Sequence, residues 1–391
     1  MLRYRAAWVL PISRPPIAGG VVTVDDGRIV GVDTTPSGPV DDLGSVAILP
    51  GLVNAHTHLE LSWLRSRVPP APSMPAWASS VMAIRRSSGP DPSEPIAEAI
   101  AEARASGTCL VGDITNSLAS YAPLAQSDLS ATIFYELLGF AAADPDGMVA
   151  TAAQRLNALP ENSRVRLAIA PHAPYSVSPA LFQAIVQHAS GGTISVHLGE
   201  SAEEVQFLRD GSGAWRALLE RLGAWTSDWT APSCDPVAYL DRLGLVDPSL
   251  LAVHGVQLTD AALTTLAGAG ATLAACPRSN QWTGAGVPPI ARFYESGVQV
   301  AVGTDSLASV QNLNLFEELA EMRRLASSVP ASELLRSATL VGAEALGFGA
   351  DLGSLDAGKQ ARLLAVRIPP ATVDVEEYLL SGIQPEDLRW I

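Results

Sequence analysis

Residues 50–58 read Pro-Gly-Leu-Val-Asn-Ala-His-Thr-His, an apolar run that closes on two histidines. We predict that Val46–His56 is a buried strand with His56 and His58 at its carboxyl end. Seven further short apolar runs follow along the chain: Thr108–Asp113, Thr132–Leu138, Val165–Ala170, Thr193–His197, Leu250–His254, Ala271–Ala275 and Val298–Val302. Longer segments with a helical pattern separate these runs. Eight strand–helix units predict an α/β fold, a (β/α)8 TIM-like barrel.

The two chain ends differ in pattern from the barrel. Residues 21–32 predict a hairpin around Asp26-Gly27, and residues 353–366 predict a turn followed by a strand. We expect both ends to pair into one small β-sandwich domain. The predicted division is therefore 1–49 and 346–391 for the small domain, and 50–345 for the catalytic barrel.

Composition limits the partners and the compartment. The chain has 391 residues, of which 48% are hydrophobic and 17% charged, which favours a large folded core over disorder. The formal charge of −15 argues against nucleic acid and anionic membranes as partners. Three cysteines without a C-x-x-C spacing favour a reducing compartment, and no apolar stretch is long enough to span a membrane. We expect a cytoplasmic protein that acts on a small molecule.

Metal-ligating residues recur at the carboxyl ends of the predicted strands. His56 and His58 follow the first strand, His197 ends the fifth, His254 ends the sixth, and Asp305 follows the eighth. In a barrel these ends converge on one mouth, where imidazoles and a carboxylate suit a divalent metal with an open position for water. The His-x-His pair by itself is equally compatible with two ordinary hydrogen-bonded histidines.

Glu200 lies three residues beyond His197, just past the strand. This spacing lets a carboxylate reach a metal-bound water without ligating the ion, which suits a proton shuttle. The alternative is an acid that complements the dipole at a helix N-terminus.

These motifs resemble the amidohydrolase superfamily, and within it the cytosine deaminase-like aminohydrolases. The resemblance covers essentially the whole chain and rests on segments 50–58, 172–176, 197–200, 253–255 and 303–306. It implies that one divalent ion, zinc or alternatively iron, is held by four ligands and served by three further side chains. The implied ligands are His56, His58, His197 and Asp305; Glu200 would move protons, His254 would orient the water or the intermediate, and His172 would contact the substrate.

The single lysine bears on the number of metal ions. Two-metal members of the superfamily typically carry a carboxylated lysine on the fourth strand, whereas here that strand, residues 165–171, has no Lys, Glu or Cys. The only lysine of the chain is Lys359, in the predicted small domain. We therefore expect a mononuclear site.

Candidate substrate contacts lie in the loops after the strands. Arg278 could pair with a substrate carboxylate or be an ordinary solvated residue, and Ser279 and Asn280 could bind a ring edge. Glu60 and Trp63 follow the first metal pair and either line the pocket or have a structural role. Two further segments lie on the same side of the barrel: the tryptophan-rich insertion 210–236, a lid or pocket wall, and residues 72–82, which we expect to pack on the barrel rather than to cover the substrate.

The predicted activity is hydrolysis of a C–N bond in a cyclic amidine. We expect a metal-dependent deaminase of a heteroaromatic amine that releases ammonia through a metal-bound hydroxide. The amine would be purine nucleoside-like, and the resemblance includes aminodeoxyfutalosine deaminases, whose substrate carries a purine amine and a benzoate. Two alternatives stay open, a chlorohydrolase using the same site and a non-catalytic barrel kept for assembly. The resemblance also implies a homo-oligomer.

Overall fold

Eight parallel strands form the centre of the protein in the computed structural model, which describes residues 1–35, 37–86, 91–189 and 191–391. They are β1 (Leu52–Thr57), β2 (Thr108–Thr115), β3 (Ser130–Leu137), β4 (Val165–Pro171), β5 (Ile194–Leu198), β6 (Leu250–His254), β7 (Thr272–Ala275) and β8 (Gln299–Val302). Strands β1–β4 pair in sequence order as one parallel sheet, and β5–β8 pair in the same way as a second.

Two backbone hydrogen bonds join the sheets into a ring at the carboxyl ends of the strands. The amide of Asp305 donates to the carbonyl of His56 at 3.0 Å, which closes β8 onto β1. The amide of His197 donates to the carbonyl of His172 at 2.9 Å, which links β5 to the end of β4. All four residues are predicted site residues, so ring closure and the assembly of the site depend on the same contacts. The predicted barrel fold is confirmed.

Helices surround the ring, and their starts follow the expected capping chemistry. The hydroxyl of Thr259 accepts from the amide of Ala262, and that of Ser178 accepts from the amide of Leu181, just before helices that open on Asp260 and Pro179. The α-helices are Met74–Arg86, Ser93–Ala105, Tyr121–Gln126, Pro145–Asn157, Pro179–Ala189, Ala202–Asp210, Ala214–Leu222, Pro236–Arg242, Asp260–Ala269, Pro277–Thr283, Ile290–Glu295, Leu315–Leu325, Ala331–Arg336, Gly342–Ala345 and Val375–Leu379. Within the described residues, none of these helices has the length and apolarity to cross a bilayer.

The core has an inner and an outer layer. Fully buried Phe134 and Leu251 belong to the cluster inside the ring, whereas Phe182, Phe207 and Phe316 fill the layer between strands and helices. Continuous apolar strands are required because both faces of the sheet are covered. This packing holds the carboxyl ends of the strands rigidly in place.

Both chain ends contribute to the small β domain. One sheet contains Leu2–Arg5, Val21–Asp25, Arg28–Asp33 and Asp41–Asp42, and the other contains Trp8–Val9, Ile17–Ala18, Val46–Pro50, Leu363–Arg367 and Leu388–Trp390. Val46–Pro50 pairs antiparallel with Leu363–Arg367, so the sheet joins the two ends of the chain. Val22, Ile29 and Ile48 are buried in one cluster that includes residues of both sheets. The predicted boundaries at 49/50 and 345/346 stay predictions.

The predicted strand Val46–His56 is wrong as a single element. It consists of two strands, Val46–Pro50 in the small domain and β1 in the barrel, which are separated at Gly51. A side chain at Gly51 would place its Cβ 2.7 Å from Cβ of Cys109 and 2.7 Å from the ring of Trp390. The chain therefore passes from one sheet to the next where it lies too close to its neighbours for any residue but glycine.

Candidate active site and metal centre

The predicted metal ligands meet at one end of the ring. His56 lies on β1, His58 directly follows it, His197 lies on β5, His254 ends β6, and Asp305 lies three residues beyond β8. The ring centroid of His56 lies 4.9 Å from those of both His58 and His197, and the rings of His197 and His254 are 5.2 Å apart. The structure thus brings together residues that are up to 249 positions apart in the sequence.

Their donor atoms form two overlapping groups that share His56, His56–His197–His254 and His56–His58–Asp305, and within each group the atoms lie within 4.8 Å of one another. Nε2 of His58 lies 3.2 Å from Nε2 of His56 and 3.5 Å from Oδ1 of Asp305. Nδ1 of His56 and Nε2 of His197 are buried and have no hydrogen-bond partner among the described residues. Burial, reinforced by the neighbouring imidazoles, lowers the pKa of His56 well below its ordinary value, so this ring stays neutral. Imidazole nitrogens and a carboxylate oxygen at these distances fit a divalent ion such as zinc.

Backbone contacts fix the carboxylate of this group. Asp305 has a left-handed backbone, with φ of 59°, and the hydroxyl of Thr57 donates to its carbonyl at 2.9 Å. Two residues earlier, a Cβ at Gly303 would lie 2.7 Å from the carbonyl oxygen of His56, so only glycine allows this approach. His254 is also left-handed, with φ of 80°. Unusual backbone at two of the converging residues is typical of a functional site.

A helix cap holds Glu200 at the cavity. Ser201 and Glu204 form a capping box, in which the Ser201 hydroxyl accepts from the Glu204 amide and the Glu204 carboxylate accepts from the amides of Gly199 and Glu200, at 2.9 and 3.0 Å. Glu200 itself precedes the cap, and the acids of the first helical turn are Glu203 and Glu204. The alternative role for Glu200, complementing the helix dipole, therefore belongs to those two residues.

The side chain of Glu200 is poised to hold a proton. It is 2% exposed, and its Oε1 lies 3.7 Å from Nε2 of His254. Its Oε2 has no hydrogen-bond partner within the part of the chain that the structure describes. Burial, together with the nearby Asp305 carboxylate, raises the pKa of Glu200 to about 8. A carboxyl group that is protonated near neutral pH can donate to a substrate nitrogen.

The sequence predicts that Ser279 and Asn280 contact the substrate, but neither of them lines the cavity. Both side chains are buried, and the Ser279 hydroxyl donates to Oδ2 of Asp305 at 2.5 Å. The side-chain amide of Asn280 lies 3.0 Å from Nδ1 of His254. The helix Pro277–Thr283 turns both side chains back under the site, where they orient Asp305 and His254 instead of a substrate ring edge.

Arg278 also differs from its predicted role. Its guanidinium is bound by Glu318 at 2.8 Å, by Glu317 at 2.6 Å and by Oδ1 of Asn312 at 2.9 Å. Glu318 is fully buried, so its carboxylate needs a fixed cation nearby. Arg278 is therefore committed to the protein interior and is not available to a substrate carboxylate.

We expect Arg278→Met to lower the free energy of unfolding by about 3–5 kcal/mol, because it leaves the buried carboxylate of Glu318 without its cation. The matched control is Arg292→Met, which removes an ion pair with Asp260, whose side chain is 84% exposed. This control should lose less than about 1 kcal/mol. Denaturant unfolding measures both values. A stable Arg278 variant with a raised KM for carboxylate-bearing substrates would restore the original prediction.

Glu60 and Trp63 serve the scaffold beside the cavity. Oε2 of Glu60 accepts hydrogen bonds from the Thr115 hydroxyl and from the backbone amides of Asn116 and Ser117, which fastens the loop after β2. Its Oε1 lies 3.5 Å from the guanidinium of Arg85. Trp63 packs in a separate cluster of the first loop. Neither side chain is among those that line the cavity, and a substrate-binding role for these two residues stays a prediction.

A cavity of about 440 Å³ opens above the converging donors. Trp77, Met74 and Met82 line it, contrary to the expectation that they only pack on the barrel. Tyr175 and Trp215 stack at 3.8 Å with an angle of 8° between their rings and form a flat aromatic wall. The volume and the apolar lining are typical of a small-molecule site.

The insertion after β5 supplies part of that wall. Its helix Ala214–Leu222 places Trp215, Leu218 and Leu219 on the cavity. The other two tryptophans of the insertion, Trp225 and Trp229, stack on Phe140 and Phe207 respectively. The tryptophan-rich composition therefore reflects both a binding surface and its support.

His172 and Glu136 complete the polar part of the cavity. His172 lines it with Nδ1 2.6 Å from the hydroxyl of Ser176, and burial lowers its pKa to about 4. Sequence reasoning missed Glu136, which lies on β3 with Oε1 3.5 Å from Nε2 of His197. The signal that could have identified Glu136 is a carboxylate near the carboxyl end of an apolar strand. Sequence reasoning also missed Glu204, which the Ser-x-x-Glu spacing could have revealed.

A family model, two relatives and a solved structure agree with this geometry. The model of the Amidohydrolase family matches residues 47–379. The chain is 31% identical to a 5-methylthioadenosine/S-adenosylhomocysteine deaminase of Moorella thermoacetica, over 97% of this chain and 90% of that protein. It is 30% identical to an aminodeoxyfutalosine deaminase of Deinococcus radiodurans, over 84% and 81%. An adenosine deaminase from Xanthomonas campestris with bound zinc superposes with a TM-score of 0.83 at 29% identity, covering 99% of this chain and 90% of that one.

Proposed function

Because the chain belongs to the amidohydrolase family, we propose that it is a metal-dependent hydrolase that releases ammonia from the purine ring of an adenosine-type nucleoside. The observation that carries this proposal is the position of Glu200, a buried carboxyl group with a raised pKa, beside His254 and above a convergent set of metal donors. The relatives named above are deaminases of 5-methylthioadenosine and S-adenosylhomocysteine, of aminodeoxyfutalosine and of adenosine, in agreement with this chemistry.

His56, His58, His197 and Asp305 would hold the metal, as the sequence predicts. Three imidazoles and one carboxylate are a donor set that zinc accepts, and the similar adenosine deaminase contains zinc; iron is the alternative. When bound, the divalent ion supplies Lewis acidity and makes the hydrolytic water acidic enough to react at neutral pH.

The remaining steps belong to side chains of this chain. Oδ2 of Asp305 is bound by Ser279, so the carboxylate is held in one orientation to accept a proton from the attacking water. Glu200 donates its proton to the ring nitrogen next to the carbon under attack. The proton that Asp305 accepted from the water goes to the leaving amine, and Glu200 takes up the hydroxyl proton of the intermediate as ammonia leaves and the ring carbonyl forms. His254, fixed by Asn280, faces Glu200 and stabilises the charge that develops on the oxygen.

The cavity suits a purine. The stacked pair of Tyr175 and Trp215 offers an aromatic surface, and Trp77 adds a second indole. Flat heteroaromatic rings gain by offset stacking on such side chains. His172, whose burial keeps it neutral, offers a hydrogen bond to the edge of the ring.

A screen for ammonia release tests the proposal. The zinc-loaded protein is incubated with adenosine, 5′-methylthioadenosine, S-adenosylhomocysteine, 6-aminodeoxyfutalosine, guanine and a pterin amine, and ammonia is measured. We expect turnover of at least one adenine nucleoside and none of guanine. Chloride release from a chlorotriazine without ammonia release from any amine would favour the chlorohydrolase alternative, and purified protein without metal would favour the non-catalytic one.

We propose in addition that the protein works in the cytoplasm and as a homo-oligomer. Cys109, Cys234 and Cys276 are free thiols in the structure, which suits a reducing compartment. The homo-oligomer rests on the family resemblance and is checked by light scattering of the purified protein.

A further inference from the structure

Glu136 is a buried carboxylate that the proposed reaction does not use. Its side chain is 5% exposed and lines the cavity from β3. Its Oε1 lies 3.5 Å from Nε2 of His197, and the donor atoms of Glu136, His172 and His197 lie within 4.8 Å of one another. Glu136 is therefore a hydrogen-bond acceptor in the wall of a mainly apolar cavity.

A rigid frame holds this carboxylate. The side-chain amide of Asn116 donates to Oε2 of Glu136 at 2.8 Å and to its carbonyl at 3.2 Å. Asn116 is held in turn by its backbone amide, which donates to Glu60 at 3.1 Å. Both Asn116 and Glu136 line the cavity. The orientation of the carboxylate is thus set before any ligand arrives.

The acceptor capacity of Glu136 is mostly unused. A carboxylate offers about four lone-pair positions, whereas Asn116 is the only amide or hydroxyl side chain that donates to it among the described residues. Its Oε1 faces Nε2 of His197 at 3.5 Å and is otherwise open to the cavity. No Lys or Arg among the described residues forms an ion pair with Glu136. A buried carboxylate with spare acceptor sites in a ligand cavity requires donors from the ligand.

We propose that Glu136 accepts hydrogen bonds from the sugar hydroxyls of the substrate and makes the enzyme select ribonucleosides over analogues that lack them. This inference rests on the proposed function, which places the purine beside Glu200 and the attached sugar within the same cavity. Acidic side chains are the usual acceptors for ribose hydroxyl groups in nucleotide sites. A site that is built to bind a hydroxyl group rejects analogues without one, because its own polar group is then left unpaired.

A second cation site is the competing explanation. Glu136, His172 and His197 have donor atoms within 4.8 Å of one another, so they could hold an ion. The two explanations differ in metal content. The proposal requires the same number of zinc ions per chain with and without the Glu136 carboxylate.

The test compares the zinc-loaded wild type, Glu136→Gln and the control Glu98→Gln, which changes an exposed residue of the helix Ser93–Ala105. The substrates are adenosine and 2′,3′-dideoxyadenosine. We expect the wild type to favour adenosine in kcat/KM by about 10- to 100-fold, the effect of losing a hydrogen bond to a charged group. Glu136→Gln should lose that factor for adenosine and change less than about threefold for the dideoxy analogue. The control should match the wild type.

A binding measurement separates this inference from the reaction itself. Calorimetry with inosine and 2′,3′-dideoxyinosine needs no turnover, and the preference for inosine should disappear in Glu136→Gln. If no purine is deaminated but this pattern appears, the proposed reaction fails and the inference stands. Equal losses for both nucleosides, or a lower zinc content in Glu136→Gln, would show that Glu136 only positions His197 or binds metal.

Discussion

Glu200→Gln should lower kcat for purine deamination by about 10³- to 10⁴-fold while leaving one metal ion per chain. The amide has nearly the shape of the carboxyl group and can still lie beside His254. It cannot supply an acidic proton to the ring nitrogen, whereas burial keeps the wild-type carboxyl group protonated near neutral pH. Steady-state ammonia release and metal analysis of the purified variant measure the two quantities.

The matched control is Glu203→Gln, which changes an acid in the first turn of the helix Ala202–Asp210 that does not line the cavity. It should keep kcat within about twofold, because surface substitutions away from the site have small effects. Metal loss in the Glu200 variant would mean that Glu200 is a ligand and not the proton donor. An unchanged kcat would remove Glu200 from the reaction altogether.

Removal of the metal should abolish ammonia release, by at least about 10³-fold, and added zinc should restore it. The reason is that water without a metal has a pKa of about 15.7, whereas a bound divalent ion brings it to about 7. Dialysis against a chelator, followed by a zinc titration, gives the stoichiometry of recovery, expected at one ion per chain. The metal-free protein should also melt at a lower temperature, because ion binding stabilises the folded state that presents the converged donors.

Asp305→Ala tests the same requirement for the metal by removing one of its proposed ligands. It should lose both metal affinity and turnover, whereas Asp260→Ala, which changes an exposed acid of a surface helix, should keep both. Full activity in the metal-free protein would contradict the proposed site. Recovery only at two ions per chain would contradict the mononuclear prediction made from the single lysine.

The regular elements were predictable because their pattern is a direct consequence of burial. Parallel strands covered on both faces must be continuously apolar, and β3 and β6 are examples in which that rule located the strand within a few residues. His197 and His254 were found by the same reasoning. A polar residue that ends an apolar strand has nowhere to point but the mouth of the ring, so chain position alone predicted its location.

Loop and helix side chains were harder, because their partners come from distant segments. Arg278 follows β7, where a substrate-binding residue is expected. Its guanidinium is instead paired with Glu317 and Glu318, which belong to a helix that starts 37 residues later. The sequence predicts that Trp77 packs on the barrel. In the structure it lines the cavity, because the helix Met74–Arg86 lies along the edge of the cavity.

The amino-acid sequence alone predicts the barrel, the small domain that its two ends build, and the six residues that converge at the mouth, His56, His58, His197, Glu200, His254 and Asp305. The folded structure is needed to see which other polar groups face the cavity, with Glu136 in its wall and Ser279 and Asn280 beneath the site. Strand periodicity is a local property of the chain and is therefore visible in the sequence. The direction of a buried polar side chain depends instead on which hydrogen-bond partners the folded neighbours provide.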